Sequence, residues 1–340
     1  MKKKAAILIL NWNGLELLKK FLPILIKNTP SEIANIYLID NNSTDNSITY
    51  VASNFNNVNI IQLDNNYGFA KAYNLVVPEI QEEYIILLNN DIEVKNGWLN
   101  YLIEAIESDE SIGACQPKIL SYQNRKQFEY AGACGGFIDI LGYPFCRGRI
   151  FNVFEEDKGQ YDDIKEIFWA SGACLLTKKK LYIELGGLND YFFAHMEEID
   201  YCWRLWARGF KVLVIPKSTV YHVGGATLNH QNPKKTYFNF RNNLFLLYLN
   251  LPKKKFFLLY IRILFDLLAV LKFILSKEFS NSKSVLKALL HFFKMKKFLK
   301  KNRLINLKQT IKENIPTIYK KSIVFNFFIL KKKTFNKLNF

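Results

Sequence analysis

One short run of the chain places amide and carboxylate side chains at the end of a buried stretch. Asn89, Asn90 and Asp91 directly follow the apolar run Tyr84–Leu88, which has the length and composition of a buried strand. Asn and Asp are common turn residues, but a carboxylate at such a point can also bind Mn²⁺ or Mg²⁺. Asp91 is therefore a candidate metal ligand, with a strand-end turn as the alternative.

A second run, residues 196–209, places three acids at the start of a predicted helix. Its apolar residues recur at helical spacing, which predicts a buried face. They are Ile199, Cys202, Trp203 and Trp206. Glu197, Glu198 and Asp200 then fall in the first turns, and Asp200 can pair with Arg204 four residues on. One of these carboxylates could serve as a general base, although acids also simply favour helix N-termini.

A single histidine completes the candidate chemistry. His222 follows the apolar run Val212–Ile215 by a few residues and precedes two glycines, Gly224 and Gly225. Glycines allow a backbone to approach a ligand closely. His222 is therefore a candidate metal ligand, with a structural role as the alternative.

The elements that would position these residues alternate along the chain. The predicted strands are Ala5–Leu10, Ile36–Ile39, Val58–Leu63 and Tyr84–Leu88, and the predicted helices are Leu15–Lys27, Ser43–Asn54, Phe69–Ile80 and Trp98–Ile106. Such alternation indicates an α/β fold with an open, mostly parallel sheet and helices on both faces.

Polar residues follow each predicted strand. They are Asn11, then residues 40–42, residues 64–66 and residues 89–91. Turn and cap roles could explain any one cluster, but ligands of open parallel sheets bind at the carboxyl ends of strands, so four clusters in succession predict a site. The chain has no GxGxxG after the first strand and no GxxxxGK[ST] anywhere, so a bound diphosphate would need a divalent cation instead of a glycine-rich loop.

Charge divides the chain near Asn232–Pro233. Residues 234–340 contain 25 Lys and Arg and three acids, a net charge of +22, whereas the preceding part has a net charge of −5. We therefore predict a catalytic domain at residues 1–233, with halves at about 1–115 and 116–233, and a basic amphipathic helical appendage at 234–340.

Residues 125–163 carry no readable motif and are interpreted as a variable acceptor loop.

The appendage is predicted to contact an anionic membrane surface through residues 253–340. On a helix that contains the apolar run Phe256–Leu275 and its flanks, Lys255 to Lys277, the polar residues form one narrow stripe, as in interfacial helices. They are Lys255, Arg262, Asp266, Lys272, Ser276 and Lys277. Lys283–Lys301 repeats the pattern. Packing on the catalytic domain or on a second copy in a homodimer is the alternative. Nucleic acid is the other polyanion to consider, but interleaved Leu, Ile and Phe suit lipid better.

The cell compartment is predicted from cysteines and the N-terminus. The five cysteines form no CxxC pair, and the apolar run Ala5–Leu10 is too short for an export signal. We therefore expect a cytoplasmic protein, peripheral on the inner face of the cell membrane.

Several ordered segments between about residues 5 and 245 resemble family 2 glycosyltransferases, especially the rhamnosyltransferase-like branch. IYLIDNNSTDNS (36–47) and NNYGFAKAYN (65–74) resemble donor-binding segments, and LLNNDIEV (87–94) occupies the place of the DxD metal motif. Residues 171–209 resemble the acceptor and base segment, and HVGG (222–225) a late histidine element. The resemblance implies a GT-A fold, a nucleotide-diphosphate-sugar donor, Mn²⁺ or Mg²⁺, and inversion at the anomeric carbon.

Site residues follow from this resemblance position by position. The donor-binding residues would be Asn11, Asp40, Asn66, Lys71, Asn89 and Asn90. Asp91 and His222 would bind the metal, with Asn89 replacing the Asp that many relatives have. Glu198 stands where the base is usually Asp, with Glu197 and Asp200 as alternatives. Trp169, Ser171 and Gly172 would line the acceptor side, and core packing is the alternative for Trp169.

The expected function is therefore transfer of a hexose to a lipid-linked or polysaccharide acceptor in cell-envelope polysaccharide synthesis. The resemblance to the rhamnosyltransferase-like branch implies dTDP-rhamnose as the sugar donor, and UDP-sugars are the alternative donors. The alternatives are a nucleotide-binding module with a nucleic-acid-binding basic tail and a sugar nucleotidyltransferase.

Overall fold

A computed structural model describes residues 3–224 and 233–340. Gly225 of the histidine segment and Asn232 of the predicted boundary lie outside the described residues. The predicted alternation of strands and helices is present. Its elements are β1 (Ala5–Asn11), α1 (Leu15–Asn28), β2 (Ala34–Asp40), α2 (Ser47–Asn54), β3 (Val58–Gln62), α3 (Gly68–Val76), β4 (Tyr84–Asn89), β5 (Ile92–Val94) and α4 (Trp98–Glu107). Helix α2 begins later than predicted, because Ser43 N donates to Asp40 Oδ2 and its hydroxyl accepts from Asn13 N.

The next part of the chain completes the sheet. Its elements are β6 (Ile112–Ser121), β7 (Gly136–Asp139), β8 (Pro144–Cys146), β9 (Arg149–Ile150), β10 (Val153–Phe154), β11 (Lys165–Glu166), β12 (Cys174–Lys178), α5 (Lys179–Glu184), α6 (Glu197–Ala207) and β13 (Lys211–His222). Among the described residues, nine strands form the main sheet in the order β11-β13-β6-β12-β4-β1-β2-β3, with β5 paired to β13. Strands β1 to β4 are mutually parallel, and β12 runs antiparallel between β4 and β6. The predicted open, mostly parallel α/β sheet is confirmed.

Apolar side chains cover both faces of this sheet. Along β1, Ala5, Ile7 and Ile9 belong to one core cluster with α1 and α4, whereas Ala6 and Leu8 belong to a second cluster with α3 and α6. Successive residues of a strand point to opposite faces, so a continuous apolar run such as that of β1 requires helices on both sides.

The last third of the chain packs on this body. It contains α7 (Pro233–Asn250), α8 (Phe257–Leu275), α9 (Phe279–Lys308), β14 (Ile318–Tyr319) and α10 (Ile323–Phe328). Strand β14 joins the small sheet β10-β9-β8-β7-β14, which is built largely from residues 125–163, and Ile323 N donates to Asp139 Oδ2 at 2.8 Å. The predicted division at residue 233 stays a prediction, based on charge.

Candidate active site

The predicted polar strand ends meet at one edge of the sheet. Asn11, at the end of β1, donates from Nδ2 to Asp40 Oδ1 at the end of β2 at 3.3 Å. Asn90, after β4, donates from Nδ2 to Asn11 Oδ1 at 3.0 Å. Asn11 and Asp40 are both buried. These three predicted donor-binding residues therefore form one hydrogen-bonded strand-end network.

A neighbouring pair extends this edge toward β3. Asn41 Nδ2 donates to Asn66 Oδ1 at 2.9 Å, and Tyr67 N donates to Asn41 Oδ1 at 2.9 Å. Lys71 lies further along α3 with its Nζ 4.3 Å from the ring centroid of Tyr67. Lys71 lies five residues after Asn66 and its side chain is exposed, so an anion at this edge of the sheet would be accessible to it.

Asp91 and His222 lie together in a buried cluster with a third residue, Glu129. His222 Nε2 is 3.1 Å from Asp91 Oδ1, and His222 Nδ1 is 3.3 Å from Glu129 Oε2. All three side chains are at least 90% buried. Asn89 Nδ2 lies 3.4 Å from His222 Nε2, so the first and last positions of the predicted metal motif both face the histidine.

Strand pairing explains why these distant positions meet. His222 is the last residue of β13 and pairs with Ile92 of β5, the residue after Asp91. Gly224 N donates to Asp91 Oδ2 at 3.3 Å, and a Cβ atom at Gly224 would lie 2.5 Å from Glu129 Oε1. The positive φ of 65° at Gly224 also favours glycine. The glycine after the histidine is therefore required by close packing of the cluster.

Glu129 was not predicted from the sequence. It lies in the segment 125–163 without a readable motif, and its backbone N donates to Ile119 O of β6 at 3.1 Å. The available signal was a lone acid between Phe128 and Tyr130 in an apolar setting, since a buried carboxylate requires a partner. That signal identifies a buried acid but not the histidine that it contacts.

The cluster is an ionised triad of one cation and two anions. Burial alone would raise the pKa values of Asp91 and Glu129, but hydrogen bonds and charge attraction to His222 lower both pKa values overall. Burial would likewise lower the pKa of His222, but the two carboxylates raise it to about 10. Without a bound cation, His222 is therefore protonated at neutral pH and neutralises part of the negative charge.

A second pair of acids begins α6. Burial, together with the neighbouring Glu198 charge, raises the pKa of Glu197 well above its usual value. Burial raises the pKa of Glu198 to about 7. In each carboxylate, Oε2 is buried and accepts no hydrogen bond among the described residues. Glu198 is also the one residue of α6 that is partly exposed, which makes it the more accessible acid of the pair.

Glu198 lies beside the carboxyl end of β4. A Cβ atom at Gly172 would be 3.9 Å from Glu198 Cβ. The next residue, Ala173, accepts a 3.0 Å hydrogen bond at its carbonyl from Asn89 N. The predicted base and the predicted metal motif are thus linked through two consecutive residues that precede β12.

Both carboxylate oxygens of Asp200, the alternative base, accept structural hydrogen bonds. Arg204 Nε donates to Asp200 Oδ2 at 2.9 Å, which confirms the predicted pairing four residues apart. Asn250 of α7 donates to Asp200 Oδ1 at 2.6 Å, and Asp200 is fully buried. With both oxygens occupied, Asp200 is a poorer candidate base than Glu198.

The loop before α6 is strained and is held by α7. Phe193, His195 and Met196 have φ values of 66°, 69° and 77°, a conformation that costs about 1 to 3 kcal/mol for each non-glycine residue. Asn242 Nδ2 lies 2.7 to 3.0 Å from the carbonyl oxygens of residues 192, 194 and 195. Arg241 also donates to Phe192 O at 2.8 Å. Helix α7 therefore holds the backbone that leads to Glu198 in this strained conformation.

The acceptor-side prediction needs one correction. Trp169 is buried, its Nε1 donates to Phe137 O at 3.0 Å, and its ring occupies the space where a Cβ atom of Gly136 would lie. Trp169 therefore packs in the core instead of presenting its ring to a sugar, because the small sheet covers it. Ser171 is also buried and its N donates to Gln116 Oε1 at 2.9 Å. Gly172 is the predicted acceptor residue that lies against Glu198.

The donor atoms of Asp91 and His222 are of types that a divalent cation accepts as ligands. Among residues 3–224 and 233–340, no group of three or more His, Cys, Asp or Glu side chains forms a metal site. Asp91 Oδ1 and His222 Nε2 nevertheless offer two donor atoms 3.1 Å apart. Such open sites take their remaining ligands from phosphate and water. A cation would have to displace the proton of His222, whose pKa is about 10, so cation binding would strengthen as the pH rises toward 10.

Comparisons with known proteins identify a family and named relatives. The family described as "Glycosyl transferase family 2" matches residues 6–186. The "N-acetylglucosaminyl-diphospho-decaprenol L-rhamnosyltransferase" of Mycobacterium tuberculosis is 24% identical over 221 residues, which cover 60% of this chain and 71% of that relative.

Solved structures share the fold. TarS 1-349 of S. aureus, in complex with UDP-GlcNAc, has a TM-score of 0.56 at 13% identity and covers 90% of this chain and 89% of its own. GalNAc-T7, crystallised with UDP, GalNAc and Mn²⁺, has a TM-score of 0.56 at 17% identity. That match covers 73% of this chain and 48% of GalNAc-T7, so the likeness spans about half of the GalNAc-T7 chain.

Proposed function

The chain belongs to glycosyl transferase family 2, and from this premise we propose that it transfers a sugar, with inversion, from a nucleoside-diphosphate donor to a lipid-linked acceptor. One observation carries the proposal. The buried Asp91–His222–Glu129 cluster, the strand-end network and Glu198 converge on the carboxyl end of β4. Family membership favours glycosyl transfer over the two alternatives, nucleotidyl transfer and nucleic-acid binding.

Glu198 is proposed as the base. A pKa of about 7 leaves a large fraction of Glu198 ionised at neutral pH while it keeps enough basicity to accept a proton. The carboxylate takes the proton of an acceptor hydroxyl, and that oxygen forms a bond to the anomeric carbon of the donor sugar. The bond from the anomeric carbon to the diphosphate oxygen breaks on the opposite face, and the diphosphate leaves with the electron pair. Attack opposite the leaving group inverts the anomeric configuration.

The strand-end residues are proposed to hold the donor. Asp40 and Asn11 would bind the nucleotide base, and Asn66 and Lys71 would lie near the ribose or diphosphate. When bound at Asp91 and His222, Mn²⁺ or Mg²⁺ would neutralise charge on the leaving diphosphate. The exposed cationic side chain of Lys71 would add to that neutralisation.

The sugar and acceptor are proposed from the named relative. The M. tuberculosis protein is named as a rhamnosyltransferase acting on N-acetylglucosaminyl-diphospho-decaprenol. We therefore propose rhamnose and a polyprenyl-diphosphate-linked glycan for this chain, in cell-envelope polysaccharide synthesis on the inner face of the membrane. Over residues 3–224 and 233–340, the structure contains no helix that is both long and apolar enough to cross a bilayer.

Donor binding provides the test. Purified full-length protein would be screened for thermal stabilisation by dTDP-rhamnose, UDP-GlcNAc and GDP-mannose, with and without Mn²⁺. We expect cation-dependent stabilisation by one donor. In the Asp91→Ala variant, affinity for Mn²⁺ together with the nucleotide should fall at least about tenfold, as for a lost carboxylate ligand.

Asp109→Ala is the matched control, because Asp109 pairs with Lys211 outside the cluster. It should bind Mn²⁺ and donor as the wild type does. Donor binding that is independent of cations, or an Asp91→Ala variant with unchanged affinity, would overturn the proposed metal site. Failure of every nucleotide sugar to bind would overturn the proposed function itself.

A further inference from the structure

Helix α8 packs on the body through its polar residues. Arg262 Nε donates to Asp266 Oδ1 at 2.7 Å, and both side chains are at least 97% buried. Arg262 also donates to Leu141 O at 3.2 Å, and its guanidinium lies 3.7 Å from the ring centroid of Tyr143. The sequence pattern predicted an interfacial helix, with packing on the catalytic domain or on a second copy as the alternative. These contacts turn the centre of the polar stripe toward the body.

The apolar side of α8 consequently faces outward. Eight large apolar residues of this helix are between 42% and 85% exposed, and we call them the outward face. They are Phe257, Tyr260, Leu264, Leu267, Leu268, Leu271, Ile274 and Leu275. At 3.6 residues per turn they occupy about one third of the helix circumference, opposite Arg262 and Asp266. Monomeric soluble proteins rarely leave so continuous an apolar stripe uncovered.

Neighbouring helices extend this surface. Phe325, Phe328, Ile329 and Leu330 are also exposed. Lys272 Nζ of α8 lies 5.0 Å from the ring centroid of Phe328, so the outward face adjoins the apolar residues of α10 and the turn after it.

Exposed lysines are interleaved with apolar residues on α9. At three- to seven-residue intervals the helix presents lysines along one side. They are Lys283, Lys287, Lys294, Lys297 and Lys301. Leu286, Leu290 and Phe293 are exposed among them. Apolar side chains beside clustered cations match the boundary between acyl chains and anionic headgroups of a bilayer.

We propose that the outward face of α8 docks on an anionic lipid bilayer, and that the exposed lysines of α9, the helix packed against α8, contribute to this docking. The inference rests on the proposed function, since a lipid-linked acceptor would reach Glu198 only from a membrane surface. A second copy of the chain is a poorer occupant. It would bring another +22 segment against this one, and like charges repel across an interface. Nucleic acid would leave the apolar residues uncovered.

Vesicle binding by the full-length protein tests the proposal. Binding to vesicles of phosphatidylglycerol and of phosphatidylcholine would be measured by co-sedimentation. The variant Leu264→Gln/Leu268→Gln/Leu271→Gln removes three exposed leucines from the outward face. We expect affinity for phosphatidylglycerol vesicles to fall at least about tenfold, because each leucine buried in the bilayer contributes separately.

The control variant removes three exposed apolar residues elsewhere. Leu75→Gln/Ile164→Gln/Ile183→Gln changes side chains of comparable exposure in the body and should bind vesicles as the wild type does. A Lys283→Gln/Lys287→Gln/Lys294→Gln variant should lose about fivefold per lysine on phosphatidylglycerol, and less in high salt, where charges are screened.

Three results would overturn the proposal. The first is recovery of wild-type protein free of phosphatidylglycerol vesicles, and the second is binding by the leucine variant that is as tight as wild-type binding. Sedimentation velocity could instead reveal a dimer that the leucine variant dissociates, which would assign the face to a second copy. Donor binding is measured separately in solution, so failure of the proposed function and failure of membrane docking are distinguishable.

Discussion

Helices α6 and α8 each bury an arginine–aspartate pair four residues apart, yet they place their apolar residues in opposite environments. In α6, Asp200 and Arg204 are buried together with the apolar residues around them. In α8, Arg262 and Asp266 are buried while most of the leucines on the other side are exposed. The same side-chain pair therefore accompanies a buried helix in one region and a surface helix in the other.

The difference depends on what the facing elements offer. Arg204 donates to the carbonyl oxygens of Leu185 and Gly187 at 2.6 and 2.8 Å, and Arg262 donates to that of Leu141. A buried guanidinium is tolerated where carbonyl oxygens accept its remaining N–H groups. The position of an ion pair on a helix therefore does not identify which face of the helix is buried.

The largest expected effect concerns the one partly exposed acid of α6. Glu198→Gln should lower turnover about 10²- to 10⁴-fold, because it removes the base while it preserves shape and donor contacts. Donor affinity should stay within about twofold of the wild type. Steady-state kinetics and donor titration would measure the two quantities. An inactive Glu197→Gln or Asp200→Asn beside an active Glu198→Gln would contradict the assignment.

The pH profile sharpens this prediction. Since the base must be ionised, turnover should rise with pH up to about 7, the pKa of Glu198. Burial raises this pKa above the ordinary 4.5, so ionisation of Glu198 disfavours the folded state. The stability contributed by the protonated Glu198 side chain is fully present below pH 4.5 and is lost as the pH rises through 7. Glu198→Gln should therefore gain stability relative to the wild type over this interval, as thermal denaturation at each pH would reveal.

Breaking the two ion pairs tests the comparison directly. Arg204→Met should lower the free energy of unfolding by about 3 to 5 kcal/mol, because it leaves a buried aspartate unpaired. It should also reduce turnover, because it disturbs the loop before α6. Arg262→Met should cost less, because burial already raises the pKa of Asp266 and eases its protonation. Urea denaturation would measure both changes.

Turnover and a double variant serve as controls. Arg262→Met should keep donor turnover within about twofold of the wild type, since Arg262 contacts Leu141 and Asn243 and not the loop before α6. Arg262→Met/Asp266→Leu should recover much of the lost stability, because an apolar pair can replace a buried ion pair. Equal losses of turnover in Arg204→Met and Arg262→Met would remove the contrast between the two helices.

The smallest effect is expected at the contact between α7 and the strained loop. Asn242→Ala removes the amide that lies against three loop carbonyls and should lower turnover about tenfold with little change in donor affinity. Asn243→Ala is the matched control on the same helix, because Asn243 contacts Gly142 and Arg262 instead. If both variants lose turnover equally, the loop contact has no special role.

Local patterns in the sequence determined the elements and part of the site. The apolar run of β1 predicted a strand covered on both faces, and polar residues after β1, β2, β3 and β4 predicted one ligand-binding edge, since carboxyl ends of parallel strands meet there. The spacing of Asp200 and Arg204 predicted their ion pair. Each of these inferences depends on residues that are close along the chain or on a regular strand order.

Tertiary structure alone decided the contacts between distant segments. Glu129 meets His222 because an insertion between β6 and β7 returns along β6, and no local pattern encodes that return. Trp169 is covered by a small sheet that combines strands of residues 136–154 with β14, near residue 318. The orientation of α8 likewise depends on Leu141 and Tyr143, which meet Arg262 only in the folded chain. Helical periodicity defines two faces of a helix, but the acceptors on neighbouring elements determine which face is buried.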